Sequence, residues 1–352
     1  MPDDHPPSTP PRPKPRRRTP QSSTIQPSTI RPSATQPSPP KRSPVFGARR
    51  ADAPVGLALG GGVARGWAHI GVLRRLEELG VVPDIVCGTS VGALAGGFWL
   101  AGKLDPLEEW ARRFTRRSML SYIDVVLNGS GLVGGKRLRR TMDEQIGDVR
   151  IEDLPKPFIA VTAELVTGHE IWLRDGPLAA AIEAAYALPG VFPPRLVDGR
   201  WLIDGALVNP MPVSVARAMG ARCVIAVGLH ADAFGRASVS RRERFENFDD
   251  LASPDERSNL ARLTDAVLLR RLFGSSGAAP GLGSTLLASF NIVMDRITRS
   301  RLAGDPPDVQ ILPAAGHVGL LEFDRADELI AIGRAAVDDA APQLEAAIKT
   351  LG

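Results

Sequence analysis

The stretch that most narrows what this chain can fold into is Gly88-Thr89-Ser90-Val91-Gly92, a G-x-S-x-G pentapeptide. Before it, Val81 to Cys87 form a short apolar run bounded by Gly80 and Gly88, with the size and composition of a buried strand. After it, Ala93, Leu94, Ala95, Phe98, Trp99 and Leu100 continue as a helix former. Ser90 therefore falls on a strand-to-helix turn. Glycines at the flanking positions allow the tight, strained backbone that lifts a serine hydroxyl clear of a sheet. They also set it at a helix N-terminus, where developing negative charge is favoured. A serine nucleophile needs that placement. An ordinary glycine-rich turn satisfies the same five letters, so the remaining motifs must decide.

A second glycine cluster lies one strand earlier. Val55 to Leu59 read as an apolar strand, followed by Gly60, Gly61, Gly62, Val63, Ala64, Arg65 and Gly66, then a periodic helix through Ile70, Val72, Leu73, Leu76 and Leu79. Such a loop points several backbone N–H groups at an anion, which suits a dinucleotide site, a triphosphate loop or an oxyanion hole. The spacing of Gly60, Gly62 and Gly66 is one residue longer than the dinucleotide fingerprint, and Asp84 precedes its strand instead of ending it. Trp67 and Ala68 stand where a phosphate loop needs Lys and Ser/Thr. An oxyanion hole asks only for amides, and one βαβ crossover would bring it to the same sheet edge as Ser90.

Composition bounds the rest. Residues 1 to 50 carry 10 Lys/Arg against 2 Asp/Glu and hold 14 Pro and 12 Ser/Thr. A segment so poor in large apolar residues cannot offset the entropy of ordering, and it reads as a disordered basic tail. Its cations, Lys14 and Arg16 to Arg18, suit an anionic surface or simple solvation. The remainder, with 33 Lys/Arg against 37 Asp/Glu, is mildly acidic, so the basic pI belongs to the tail. Cys87 and Cys223 sit in apolar runs without ligand spacing, which argues against a disulfide framework or a zinc site. No 18-residue apolar run and no signal-like core is present, and a cytoplasmic setting is expected.

Further along, basic clusters at Arg112, Arg113, Arg116 and Arg117 and at Lys136, Arg137, Arg139 and Arg140 read as solvated helical faces, with headgroup contact as the functional alternative. Phe158 to Ala163 is a buried strand and Glu170 to Leu173 its neighbour; Pro177 to Ala187 is helical. Trp201 to Ile203 form an apolar strand that ends in Asp204-Gly205-Ala206, placing a carboxylate at a sheet edge. Residues 231–282 are polar and arginine-rich and read as a mobile insertion; about 283 to 302 is an amphipathic helix, and 327–351 a closing helix.

Four motifs in this order, Gly60 to Gly66, the Ser90 turn, Pro189-Gly190-Val191-Phe192-Pro193-Pro194 and Asp204-Gly205-Ala206, resemble bacterial patatin-like phospholipases of the branch related to neuropathy target esterase. The resemblance covers residues from about Val55 to the C-terminal helix. It departs from the pattern at Ala206, where a second glycine is usual, and at Ala185 and Ala187, where small hydroxyl residues are common. It implies a three-layer α/β/α fold with a mainly parallel central sheet, formed by residues 51–352. It also implies a Ser90–Asp204 dyad that hydrolyses acyl esters of phospholipids or lysophospholipids, without metal or other cofactor.

The chemistry of acyl transfer asks for the same parts. Acyl transfer requires a nucleophile, a base within about 3 Å of it and N–H donors for the oxyanion. Ser90, Asp204 and the amides around Gly61, Gly62 and Val63 are the candidates. Asp204 needs burial to become a useful base. Arg65 either orients a substrate phosphate or caps the loop. A histidine-containing triad is the rival mechanism, but His5, His69, His169, His230 and His317 do not follow strands beside motif residues. The expected partner is a lipid reached by transient membrane contact, from the cytoplasm or as a peripheral protein on the inner face of the membrane, and no nucleic acid. A non-catalytic lipid-binding or regulatory protein on the same fold is the alternative.

Overall fold

The computed structural model describes residues 53–115, 136–229 and 282–351. The tail, Arg116 and Arg117, His230 and the 231–281 segment lie outside the described residues.

Five strands form a parallel core: β1 (Val55–Leu59), β2 (Ile85–Thr89), β3 (Phe158–Glu164), β7 (Cys223–Val227) and β8 (Val309–Ile311). Three more add to them antiparallel: β4 (Glu170–Leu173), β5 (Arg195–Val197) and β6 (Arg200–Asp204). The pairing path through the sheet runs β5-β6-β3-β2-β1-β7-β8, with β4 also paired to β3. The central strands are apolar without interruption because helices cover both faces, as parallel sheets require.

Alternate strand residues feed two cores. Leu57, Leu59, Val86 and Phe158 pack with α1 (Ala68–Glu78), α2 (Val91–Leu100), α3 (Leu104–Arg112), α4 (Lys136–Ile146), α5 (Leu178–Ala185) and α8 (Ala326–Lys349). Ala58, Cys87, Ile159, Val161 and Val224 pack on the opposite face with Met211 and α6 (Val213–Ala218), joined by Leu302 of α7 (Leu282–Gly304). The result is the three-layer arrangement expected, with the sheet mostly parallel.

Among the described residues the strands and helices read from the sequence recur, with a few differences. Val81 and Val82 precede β2, which runs on to Thr89 directly before the serine. The short strand β5 was not anticipated; three residues between prolines and a turn carry no periodicity. Arg112, Arg113 and Arg140 pair at helical spacing with Glu108, Glu109 and Glu144, and Arg112 also meets Asp327 of α8. Arg139 reaches the buried carboxylate of Glu183, so it is not part of a purely solvated face. Among the described residues, no helix is long and apolar enough to cross a membrane.

Candidate active site

β2 ends at Thr89 and α2 begins at Val91, leaving Ser90 alone at the turn with φ 56° and ψ −127°. A non-glycine residue there stores roughly 1–3 kcal/mol of backbone strain, held in place by the surrounding structure. The neighbouring glycines do not themselves take up positive φ. Their role is close approach. A Cβ on Gly92 would lie 2.2 Å from the Leu59 carbonyl oxygen, and one on Gly88 2.5 Å from the Ala93 nitrogen.

Asp204 reaches Ser90 by an unusual route. β6 runs antiparallel to β3, yet β4 already occupies one edge of β3 over Ala160–Ala163. β2 occupies the other edge over Phe158–Val161, and β6 takes up that same edge from Thr162 onward. The two strands therefore abut C-terminus to C-terminus. Ser90 Oγ donates to Asp204 Oδ2 at 2.6 Å, and the Ala206 N–H donates to Oδ1 at 2.8 Å. The Asp204 N–H donates to the Ala187 carbonyl at 3.0 Å, which ties the strand end to the segment before the proline block. Gly205 lets the chain cross β3, where a Cβ would lie 2.2 Å from the Val161 carbonyl oxygen. Ala206 occurs where a second glycine is usual, and a Cβ built on Gly61 would lie 3.3 Å from its Cβ, tighter than ordinary contact.

Asp204 is fully enclosed. Burial pushes its carboxyl from an ordinary 3.8 up to about 7, with the Ser90 and Ala206 hydrogen bonds opposing the rise. A carboxylate that is a poor base in water thus becomes suited to taking a hydroxyl proton near neutral pH.

The glycine loop closes over the pair. A Cβ built on Gly61 would lie 3.4 Å from Ser90 Cβ. The Gly60 N–H donates to Val227 O and the Gly61 N–H to Pro210 O, each at 3.0 Å. The Gly61 amide, a candidate oxyanion donor from sequence, is therefore engaged with Pro210. Among the described residues, the Gly62 and Val63 N–H groups have no protein acceptor. Val63 takes φ 51°, a strained value for a β-branched residue. Gly66 permits contact with the serine turn, since a Cβ there would lie 2.1 Å from Val91 Cγ2. Gly60 and Gly61 also border a cavity of about 210 Å³ with Met211, Leu229, Leu302 and Arg299.

The hydrogen bonds of Arg65 are those of the capping alternative. Its Nε donates to Val318 O at 2.9 Å and its Nη2 to Gly316 O at 3.4 Å, with the side chain buried. His69 holds the loop from beneath: its Nε2 donates to Gly60 O at 2.7 Å. Burial lowers that imidazole to about 4, so it is neutral. His317 pairs with Glu328, and His169 lies just before β4 on the exposed β3–β4 turn. Among the described residues, no histidine hydrogen-bonds Ser90 or Asp204.

Sequence reasoning missed one pair. Thr89 Oγ1 donates to Asn209 O at 2.9 Å, and the Asn209 amide donates to Glu170 and Ser214. This joins the residue before the serine to the loop after the aspartate. A lone amide side chain in the apolar run Val208-Asn209-Pro210-Met211, five positions past Asp204, was the signal available.

A patatin-like phospholipase family model matches residues 57–217. An uncharacterised NTE family protein of Mycobacterium bovis is 34% identical over 334 residues, spanning 83% of this chain and 92% of its own length. Patatin-like phospholipase domain-containing protein 6 of Mus musculus is 36% identical over 179 residues, covering 49% of this chain and 13% of that protein. The VipD structure from Legionella pneumophila aligns with TM-score 0.45 at 12% identity, over 85% of this chain and 68% of that one. The motifs, their order and the similarity to the mycobacterial protein over most of both chains converge, and the chain belongs to the NTE family of patatin-like phospholipases.

Proposed function

We propose that this protein is a lipid acyl hydrolase in which Ser90 is the nucleophile and Asp204 the base. The observation that carries the reading is the buried 2.6 Å hydrogen bond from Ser90 Oγ to Asp204 Oδ2, made by a carboxyl group held near pH 7. Ser90 attacks the ester carbonyl while Asp204 takes the hydroxyl proton. The Gly62 and Val63 amides, together with the N-terminal end of α2, stabilise the tetrahedral oxyanion. Asp204 then returns the proton to the leaving alcohol, and a water activated by the same carboxylate releases the acid. Phospholipids or lysophospholipids, met by transient contact with a membrane surface, are the substrate class, with the protein cytoplasmic or peripheral at the membrane.

Hydrolysis of a p-nitrophenyl ester by purified protein tests the reading. Ser90→Ala and Asp204→Asn are each expected to lower the rate by at least ~10³-fold, the scale seen when a nucleophile or its base is removed. Turnover retained in Asp204→Asn protein rejects the dyad. Single His→Ala variants are expected to keep most activity.

A further inference from the structure

Strand register gathers the exposed aromatic and aliphatic side chains at one end of the sheet onto a single face. Val161 opposes Trp172, Ala163 opposes Ile203 and Leu196 opposes Trp201. Cross-strand partners share a face, and faces alternate along each strand. The pairing continues past β3, where the Leu165 N–H donates to Trp201 O at 2.8 Å. Leu165, Trp172, Leu196 and Trp201 therefore stand on the face that α6 covers farther along the sheet. Here no described element covers it: they are 51%, 37%, 58% and 47% exposed, and adjacent Val166 is 80% exposed. The one acidic group on this face at β4, Glu170, is held by Arg301, Asn209 and the Trp172 indole N–H.

The location relates the patch to the catalytic edge. β6 approaches Ser90 from beyond the end of β2, so Trp201, three residues before Asp204, stands about 10 Å farther out along the sheet. Asp198 and Gly199 take φ 48° and 76°, the two-residue turn that matches strand twist and gives a stiff projecting hairpin.

We propose that Leu165, Val166, Trp172, Leu196 and Trp201 form a lipid-docking surface that enters the headgroup–acyl boundary of a bilayer and brings the Ser90 edge to it. The inference rests on the lipid-hydrolase reading and adds to it where the enzyme meets its substrate. Indole side chains favour that boundary because one end is apolar and the other polar. The patch offers on the order of 500 Å² of apolar side chain, short of the ~800 Å² per partner that a stable dimer buries. It is borne by a hairpin tip and a turn, which suit a broad lipid surface better than a grooved partner.

The test measures co-sedimentation of full-length Ser90→Ala protein with neutral phosphatidylcholine vesicles, which offer the basic N-terminal segment no net charge to bind. The double variants Trp201→Gln with Leu196→Gln, and Leu165→Gln with Val166→Gln, are each expected to weaken binding about tenfold or more. Val82→Gln, an exposed apolar position at the opposite sheet edge, is expected to leave it unchanged. With Ser90 intact, both double variants should lose hydrolysis of vesicle phospholipid while keeping p-nitrophenyl butyrate hydrolysis, which also confirms that they fold. Binding at the parent level in both double variants overturns the proposal. So does a dimer that they dissociate without any change in vesicle binding, which assigns the face to a second copy of this chain. Because binding is read on inactive protein, a parent enzyme without esterase activity counts against the hydrolase reading and not against this surface.

Discussion

At Asp204 burial raises the carboxyl to about 7, and under the proposed mechanism that one cause sets both the activity and a cost in stability. A carboxyl raised to about 7 is protonated, and idle as a base, in acid. The kcat/KM of ester hydrolysis is therefore expected to rise roughly tenfold per pH unit up to about 7 and then level off, read from initial rates between pH 5 and 9. The sign for stability is opposite. Between the ordinary 3.8 and about 7 the folded chain holds a proton that the unfolded chain has released, so this group's contribution is complete at low pH and is lost as pH rises through that window. Asp204→Asn, neutral throughout, should unfold in denaturant with up to roughly 4 kcal/mol more stability than wild type at pH 8, and with no advantage at pH 3. Equal stability at pH 8 would mean that the carboxyl is not desolvated. Ser90 and Asp204 were both legible in the sequence, because each sits where an apolar run meets a glycine. The displacement of the positive φ from the glycines onto Ser90 was not, since it depends on Leu59 and Ala93 pressing against Gly92 and Gly88.

Between elements, the tightest contact outside the site is made by two helices. α1 and α8 meet at Gly71 and Gly333, where an added Cβ would lie 1.9 Å from the Ile330 carbonyl oxygen and 2.0 Å from that of Ala68. Backbone cannot yield as a flexible side chain can. Gly71→Ala and Gly333→Ala are thus each expected to cost about 1–3 kcal/mol in denaturant unfolding, with the greater part of the soluble-ester kcat retained. No loss of stability in either variant would show that the helices are not in backbone contact. The helices themselves were readable from periodicity; their crossing was not, because a glycine in a helix does not announce which helix it faces. β6 teaches the same lesson. Its apolar run was plain in the sequence, but its direction and its end-to-end meeting with β2 follow from β4 having filled the other edge of β3.

On the scale of the hydrolase unit, residues 316 to 323 hold the glycine loop from more than two hundred positions away. Ala64 N–H donates to Leu320 O at 3.1 Å, Arg65 to Val318 O at 2.9 Å and the Trp67 indole to Phe323 O at 3.2 Å. Arg65 therefore acts as a clamp on the loop. Arg65→Gln is expected to lower stability by about 1–3 kcal/mol through buried carbonyls left without a charged donor, with the KM for phospholipid unchanged. A raised KM with unaltered stability would instead return Arg65 to phosphate binding.

Local letters settled which residues can do chemistry here: a serine between glycines, a carboxylate at a strand end and a loop rich in amides. Each is a matter of backbone freedom and apolar patterning within a few positions. Folding settled which of those groups meet. The sharing of one β3 edge by two strands brings Ser90 Oγ and Asp204 together, and enclosure by distant segments shifts the carboxyl toward 7. Pro210, remote in sequence, takes the Gly61 amide and leaves the Gly62 and Val63 amides without a protein acceptor among the described residues, because hydrogen-bond partners are assigned by proximity in space.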